Sequence, residues 1–310
     1  MAWNDIKERP ATRPSAIFDQ LSSRGYLTTA FGSRKFFEMA VNLALSVRLN
    51  DPDRPVCLVH NASEEVPDDI ARAFDSLTTF PDGAETVYAG TALKLLIDQV
   101  TPYRETFFVD SDCMILKKDM DRHWQKFGQS DFMICGEKRT RGHISSLDVQ
   151  TMMKVANVDH IVDMNSGVIF LRSSPASTRL FETARELYRT RRETFTEIRA
   201  RRGDGIGDQP FFGAAMAACG IDPISYEPGE GSLMVTTYRA RNVDFDLDEP
   251  RSFLEKPTGF RMLNRFWAKS WVRHDTTIGH FVAGKPKRVY QTMSDRLRTI
   301  FNWPLYDFGS

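Results

Sequence analysis

The order of apolar segments in this sequence predicts an α/β fold: a mainly parallel sheet flanked by helices, built as one continuous domain. Two observations carry that reading. Short apolar runs of strand length alternate with longer segments whose apolar residues recur at helical spacing, from residue 25 to residue 110. The stretch "ETFFVDSDCMIL" (105–116) then sets two carboxylates, Asp110 and Asp112, directly after a buried-looking strand. That is the carboxyl edge, where open α/β sheets place their ligands.

Taken in order, "GYLTTAF" (25–31) reads as the first strand. "SRKFFEMAVNLALSVRLN" (33–50) follows as a helix with Ser33 as a plausible N-cap. "PVCLVH" (55–60) is a second strand, and "SEEVPDDIARAFDSL" (63–77) a helix with acids in its first turn. "ETVYA" (85–89) reads as a third strand, "TALKLLIDQV" (91–100) as a helix and "ETFFVD" (105–110) as the fourth strand. "DFMICGE" (131–137) and "SGVIFLRS" (166–173) continue the strands, and residues 176–200 form an amphipathic helix. "RRGDGIGDQPFF" is a glycine-rich loop running into the apolar helix "PFFGAAMAACG". The last third, with "YEPGEGSLMVTTYRARNVDFDLDEP", reads as turn-rich and less regular. The expected organisation is a polar leader over 1–24, the α/β domain over 25–290 and a helical, basic tail over 291–310.

Lys and Arg (41) balance Asp and Glu (41), so global charge does not mark a dedicated nucleic-acid or polyanion binder. Cys57, Cys113, Cys135 and Cys219 stand far apart in apolar contexts, as reduced buried thiols do, which suggests a cytoplasmic protein. The opening "MAWNDIKERPATRPSAIFDQ" has no apolar core of a secretory signal, and nowhere do about 18 apolar residues run together, so a soluble chain is expected.

On an extended chain, residues i and i+2 point the same way, so Asp110 and Asp112 are expected to share one small region. Like charges that close disfavour one another unless a cation lies between them. A divalent ion suits carboxylate oxygens and would take further ligands from a substrate's phosphates. A solvated acidic turn is the plain alternative, disfavoured by the apolar runs on either side. His280, alone, reads more readily as a hydrogen-bonded structural histidine than as a ligand; were it a ligand, imidazole would favour Mn²⁺ over Mg²⁺. For "GDQP" the plain reading is a helix cap, with Asp208 at the N-cap and Pro210 in the first turn.

"FFVDSDCMI" resembles the DxD element of nucleotide-sugar-dependent glycosyltransferases of the GT-A fold. The wider layout is similar to family 8, which contains glycogenin and bacterial galactosyl- and glucosyltransferases. "YLTTAFG", "TALKLLIDQVTPYRETFFVDSD", "DMNSGVIFL", "GDQPFF" and "IGHFVAGKPKR" carry the resemblance, in the family's order, over roughly residues 25 to 290. It implies a hexosyltransferase that uses Mn²⁺ or Mg²⁺, moves a sugar from a UDP-type donor to a hydroxyl acceptor and retains anomeric configuration. By the same resemblance Asp110, Asp112 and His280 are metal ligands. Thr28, Thr29, Ala30, Lys94, Asp110, Ser111 and Asn165 bind the donor. Asp208 holds a sugar hydroxyl and Gln209 lies near the anomeric carbon. Lys285 meets the diphosphate, although Lys285 and Lys287 straddle the family's usual spacing from the histidine.

Two rivals stay open. A nucleotidyltransferase also needs paired carboxylates, but "TTAFGSRKFF" is thin as its glycine-rich basic loop. A non-catalytic binding or scaffold protein of GT-A shape is disfavoured by the presence of both carboxylates, the histidine and the Asp-Gln pair. Between Arg251 and Arg298 basic residues outnumber acidic ones, with Trp267 and Trp271 interleaved. Such a surface suits an anionic acceptor glycan, nucleic acid or peripheral contact with membrane headgroups, or is merely solvated. The acceptor is open: glycan, lipid-linked saccharide, protein or modified nucleic acid.

Overall fold

The computed structural model describes residues 22–199, 206–225, 230–237, 240–245, 252–263 and 266–309. Along the first half run β1 (Ser22–Thr29), helix α1 (Arg34–Asn50), β2 (Val56–His60), β3 (Ser76–Thr79), β4 (Tyr103–Val109) and β5 (Cys113–Ile115). Helix α2 (Met120–Phe127) and β6 (Phe132–Arg139) follow, then the small hairpin of β7 (His143–Ile144) and β8 (Leu147–Asp148). Helix α3 (Val149–Ala156), β9 (Ile161–Arg172), α4 (Pro175–Glu197) and α5 (Gln209–Cys219) complete the first unit of the chain.

Six strands form the main sheet in the order β3-β2-β1-β4-β9-β6. The first four are parallel, while β9 runs antiparallel to both β4 and β6. Strand β4 sits near the middle and is apolar on both faces, as a doubly covered strand must be. Its alternation divides two cores. Phe108 faces Leu96, Phe181 and Phe211, whereas Phe107 faces Val41, Trp124 and Phe170.

The last third departs from the expected irregularity. Strands β10 (Glu230–Thr236), β11 (Arg241–Phe245), β12 (Ser252–Leu263) and β13 (Phe266–His280) form a second sheet in the order β10-β13-β12-β11. Charged residues, Pro257 and Gly259 interrupt the hydrophobic alternation there, so the ladder comes from pairing rather than from pattern. This sheet reaches the first through β5, which pairs antiparallel with β13 and sets Cys113 opposite His280.

Three further expectations change. Residues 85–89, expected as a strand, fall mostly in a helical turn (Ala84–Val87). The helix expected over 63–77 shrinks to Asp68–Ala71, and its end becomes β3 beside β2. The doubled carboxylates do not lie on an extended chain: the Cys113 N–H donates to the Asp110 carbonyl at 2.9 Å, so residues 110–113 make a tight turn between β4 and β5. The glycine-rich loop lies largely outside the described residues.

Helix α6 (Lys287–Ile300) continues from the end of β13 and packs on α1. Its anchor is Arg298, counted in sequence among the basic surface residues yet only 1% exposed. The guanidinium donates to the Glu38 carboxylate at 2.9 Å, to Asn42 Oδ1 at 2.8 Å and to the Pro304 carbonyl at 2.6 Å. Removing one partner from such a buried pair leaves the other charge uncompensated, and Arg298→Leu should cost roughly 3–5 kcal/mol in denaturant unfolding.

His123 on α2 is buried, with Nε2 at 2.8 Å from Thr277 Oγ1, and that hydroxyl donates to Asp119 Oδ1 at 2.8 Å. The ring therefore donates through Nε2. Burial, with help from Arg122, Lys117 and Lys126, pushes its pKa from 6.5 to about 3. The unfolded chain takes up this proton below 6.5 and the native one only near 3, so stability falls as pH drops through that window. His123→Gln keeps a donor and cannot titrate; between pH 6.5 and 4.5 the wild type should lose roughly 2 kcal/mol more stability than this variant, as read by urea melts at each pH.

Candidate functional site

The turn after β4, the end of β13 and the start of α5 converge at the carboxyl edge of the main sheet. Backbone bonds fix the turn: the Asp110 N–H donates to the Gly167 carbonyl at 2.8 Å, and the Phe281 N–H to the Asp112 carbonyl at 2.9 Å. The two carboxylates then diverge. Asp110 turns to Lys94, whose Nζ lies 2.7 Å from each of its oxygens. Asp112 turns to His280, with Nε2 at 3.1 Å from Oδ1, and accepts the Ala283 N–H at 2.8 Å on Oδ2. Ala283 carries φ 54°, a left-handed backbone that an alanine adopts at some cost and that is here fixed by this bond.

The state of His280 follows from its other side. Asn165 Oδ1 accepts the Gly167 N–H at 2.9 Å, which fixes the amide's orientation, and the same oxygen lies 3.0 Å from His280 Nδ1. Nδ1 therefore carries a proton. In the neutral ring, Nε2 is then a lone pair facing Asp112 Oδ1, and that buried oxygen has no hydrogen bond among the described residues. Two acceptors 3.1 Å apart call for a proton or a cation between them. Gly167 makes room for the arrangement, since a Cβ there would stand 2.5 Å from the imidazole.

Burial opposes charge throughout, and local partners decide the outcome. Burial would lower the His280 pKa, but the contact with Asp112 and the charges of Asp112 and Asp110 raise it above 6.5. Burial likewise would raise Asp112, yet His280 and the Ala283 N–H hold it below the ordinary carboxylate value. Asp110 is raised, by burial first and then by Asp112, with Lys94 only partly offsetting them. Lys94 is buried too, but Asp110, Asp208 and Asp112 more than reverse the burial effect and keep it charged.

Two cavities of about 330 Å³ each meet at Thr91, Lys94, Asp110 and Asp112. One is lined by Thr29, Ala30, Phe31, Phe36, Leu93 and Ser111. The other takes in Asn165, Ser166, Asp208, Gln209 and His280. A third, of about 520 Å³, shares Asn165 and Gln209 with the second and extends to Asp163, Lys256 and His274.

Most of the residues picked from sequence thus come together. Asp208 holds the N-cap position of α5 but makes no capping hydrogen bond, and its Oδ2 is buried without a partner among the described residues. The plain cap reading fails there, and the carboxylate is left for the cavity. Thr28 is different: fully buried, it lines neither cavity. Lys285 is exposed and lines neither cavity, while Lys287 donates to the Gly309 carbonyl at 2.9 Å, away from the site. Asn165, expected to meet a sugar, orients His280. Sequence reasoning missed Phe36, an aromatic 46% exposed at the first cavity, and the Lys94–Asp110 pair. It also missed Cys113, whose thiol lies with Asp112 and His280 so that their ligand atoms fall within 4.8 Å of one another. Burial holds that thiol well above its ordinary pKa, which makes it a poor ligand beside two carboxylates.

No family model matches the chain, and no curated protein matches it. Known structures do. A galactosyltransferase, LgtC, solved with donor and acceptor sugar analogues, is 12% identical with a TM-score of 0.43 over 68% of this chain and 75% of its own. The glycosyltransferase GlyE of Streptococcus pneumoniae TIGR4 is 11% identical with a TM-score of 0.44, covering 66% of this chain and 45% of its own. The bifunctional glycosyltransferase WbbM is 14% identical with a TM-score of 0.45, covering 72% and 41%. The chain thus spans less than half of the last two. The likeness is partial, and no residue role is taken from it.

Because contact with the Asp112 carboxylate favours the charged imidazole, Asp112→Asn should lower the His280 pKa, as followed by ¹H–¹⁵N spectra of the ring in metal-free protein. With the folded value raised, the stability this pair contributes is complete below 6.5 and is lost as pH rises through the folded value; the variant should lack that loss.

Proposed function

We propose that this chain is a metal-dependent glycosyltransferase that moves a sugar from a nucleoside diphosphate donor, UDP-linked by the sequence resemblance, to a hydroxyl acceptor with retention. One observation supports this above the others. A buried Asp112–His280 pair with acceptor atoms facing each other stands where a cavity with aromatic walls meets one with an unpartnered carboxylate. A nucleoside suits the cavity of Phe31, Phe36 and Leu93, a sugar suits that of Asp208, Asn165 and Gln209, and the diphosphate joins them at the carboxylates.

The donor set fits a divalent cation of the manganese type: Asp112 and His280 would hold it, with Asp110 beside them, His280 Nε2 lying 3.9 Å from Asp110 Oδ2. Such an ion supplies Lewis-acid stabilisation of the departing diphosphate. The chain's own groups do the rest. Phe36 and Phe31 give a nucleobase apolar surface against which to stack. Asp208 Oδ2 accepts a sugar hydroxyl and fixes the ring. Gln209, shared by the second and third cavities, stands where donor and acceptor would meet. As a neutral amide it orients and does not attack. The sugar–phosphate C–O bond breaks, the acceptor oxygen bonds the anomeric carbon, and the acceptor proton passes to the departing phosphate oxygen. Lys94 and Arg199 are cations that line the cavity a diphosphate would enter, while Lys285, which lines neither cavity, is assigned to the diphosphate by the sequence resemblance alone.

As for location, among the described residues no helix is long and apolar enough to cross a membrane. A basic surface contact loses Arg298, which is in the core, and Lys256 is half-buried, donating to Thr236 Oγ1 at 3.1 Å.

The test is UDP release from a panel of UDP-sugars with Mn²⁺. Asp208→Asn should lower kcat/KM by about 10–100-fold, the worth of one hydrogen bond to a charged group. Pyrophosphate release from nucleoside triphosphates instead would mark a nucleotidyltransferase, and no turnover of either kind a binding protein.

A further inference from the structure

We infer that the Lys94 ammonium is a built-in counter-ion that competes with the divalent cation for Asp110 and must leave that carboxylate, turning toward Asp208, when the cation binds. This rests on the metal-site reading above and goes beyond it, because it assigns the resting state and the metal affinity to a residue that is not a ligand.

Lys94 is 6% exposed, and among the described residues Asp110 is its one short anchor: 2.7 Å to each oxygen, against 3.3 Å and 3.4 Å to the Ser166 carbonyl and hydroxyl. A carboxylate gripped on both oxygens by an ammonium has few lone pairs left for a metal, and the ammonium's charge repels one. The cavity nevertheless wants more positive charge. Asp110, Asp112 and Asp208 line it with Lys94, Arg199 and His280, so three negative charges face two positive charges when the imidazole is neutral, a balance of −1. A dication takes that balance to +1, a charge that a diphosphate donor offsets, without expelling Lys94 from the cavity. Conflict arises at Asp110 alone. Asp208 supplies the alternative anchor: it lines the same cavity, its charge already acts on Lys94, and its Oδ2 is buried with no hydrogen bond among the described residues. Moved there, the ammonium would also stand on the sugar side of the cavity, so cation binding would both open Asp110 and complete the donor pocket.

The experiment titrates Mn²⁺ alone into the full chain, read by the electron paramagnetic resonance of free Mn²⁺ and by calorimetry, for wild type, Lys94→Met and Asp112→Asn. Lys94→Met should bind Mn²⁺ about tenfold more tightly than wild type. Its melting temperature without metal should fall and be restored by Mn²⁺. A crystal structure of wild type with Mn²⁺, which needs no variant to fold, should show Nζ out of hydrogen-bond reach of Asp110 and within reach of Asp208. Equal or weaker binding by Lys94→Met, or an ammonium still on Asp110 beside bound Mn²⁺, overturns the inference while the metal site stands, provided Asp112→Asn loses the ion. A wild type that takes up no Mn²⁺ removes both.

Discussion

Three carboxylates gathered at one sheet edge, Asp208 buried and Asp110 and Asp112 largely so, are the constraint on which this site depends. Taking charges out of water costs several kcal/mol per ion, and that cost has to be met by partners of opposite sign. The protein meets it unevenly. Lys94 neutralises Asp110, His280 partly neutralises Asp112, and Asp208 keeps an oxygen with no donor. A fold made only for stability would have no use for that imbalance, whereas a site awaiting a charged, hydroxylated ligand does.

The architecture supports this charge cluster through backbone bonds more than through side chains. Asp110 is tied to β9 through Gly167, and Asp112 to the end of β13 through Phe281 and Ala283. Asn165 closes the ring by holding both the Gly167 amide and the His280 imidazole. Asp110, Asp112 and His280 are thus each oriented by an element other than the one that carries them, which limits how far they can relax when a neighbour changes.

Much of this was readable in the sequence where pattern and physics coincide. The run Phe107–Phe108–Val109 could only be a strand covered on both faces, and a carboxylate pair at its end had to be compensated. Asn165, Asp208, Gln209 and His280 were found by likeness to a family, and three-dimensional proximity gathers them. What was lost has physical causes. "ETVYA" has β-branched and aromatic residues, yet tertiary packing winds it into a turn, and "SLTT" is a strand only because β2 lies beside it. The expectation that Asp110 and Asp112 share a face assumed an extended chain; one backbone hydrogen bond, Cys113 to Asp110, turned it instead. The partner of Asp110 was invisible because Lys94 lies on a separate element, 16 residues away.

Strand β13 carries His274 in the wall of the third cavity and His280 at the junction of the first two. Six positions apart on an extended chain, they project to the same side. One inserted or deleted residue between them would rotate the imidazole to the opposite face of the ribbon and unthread the β5 register that seats it. Side chains along this span can drift, but its length is pinned, so change in the wall of the third cavity has to arise by exchange of residues and not by lengthening the strand.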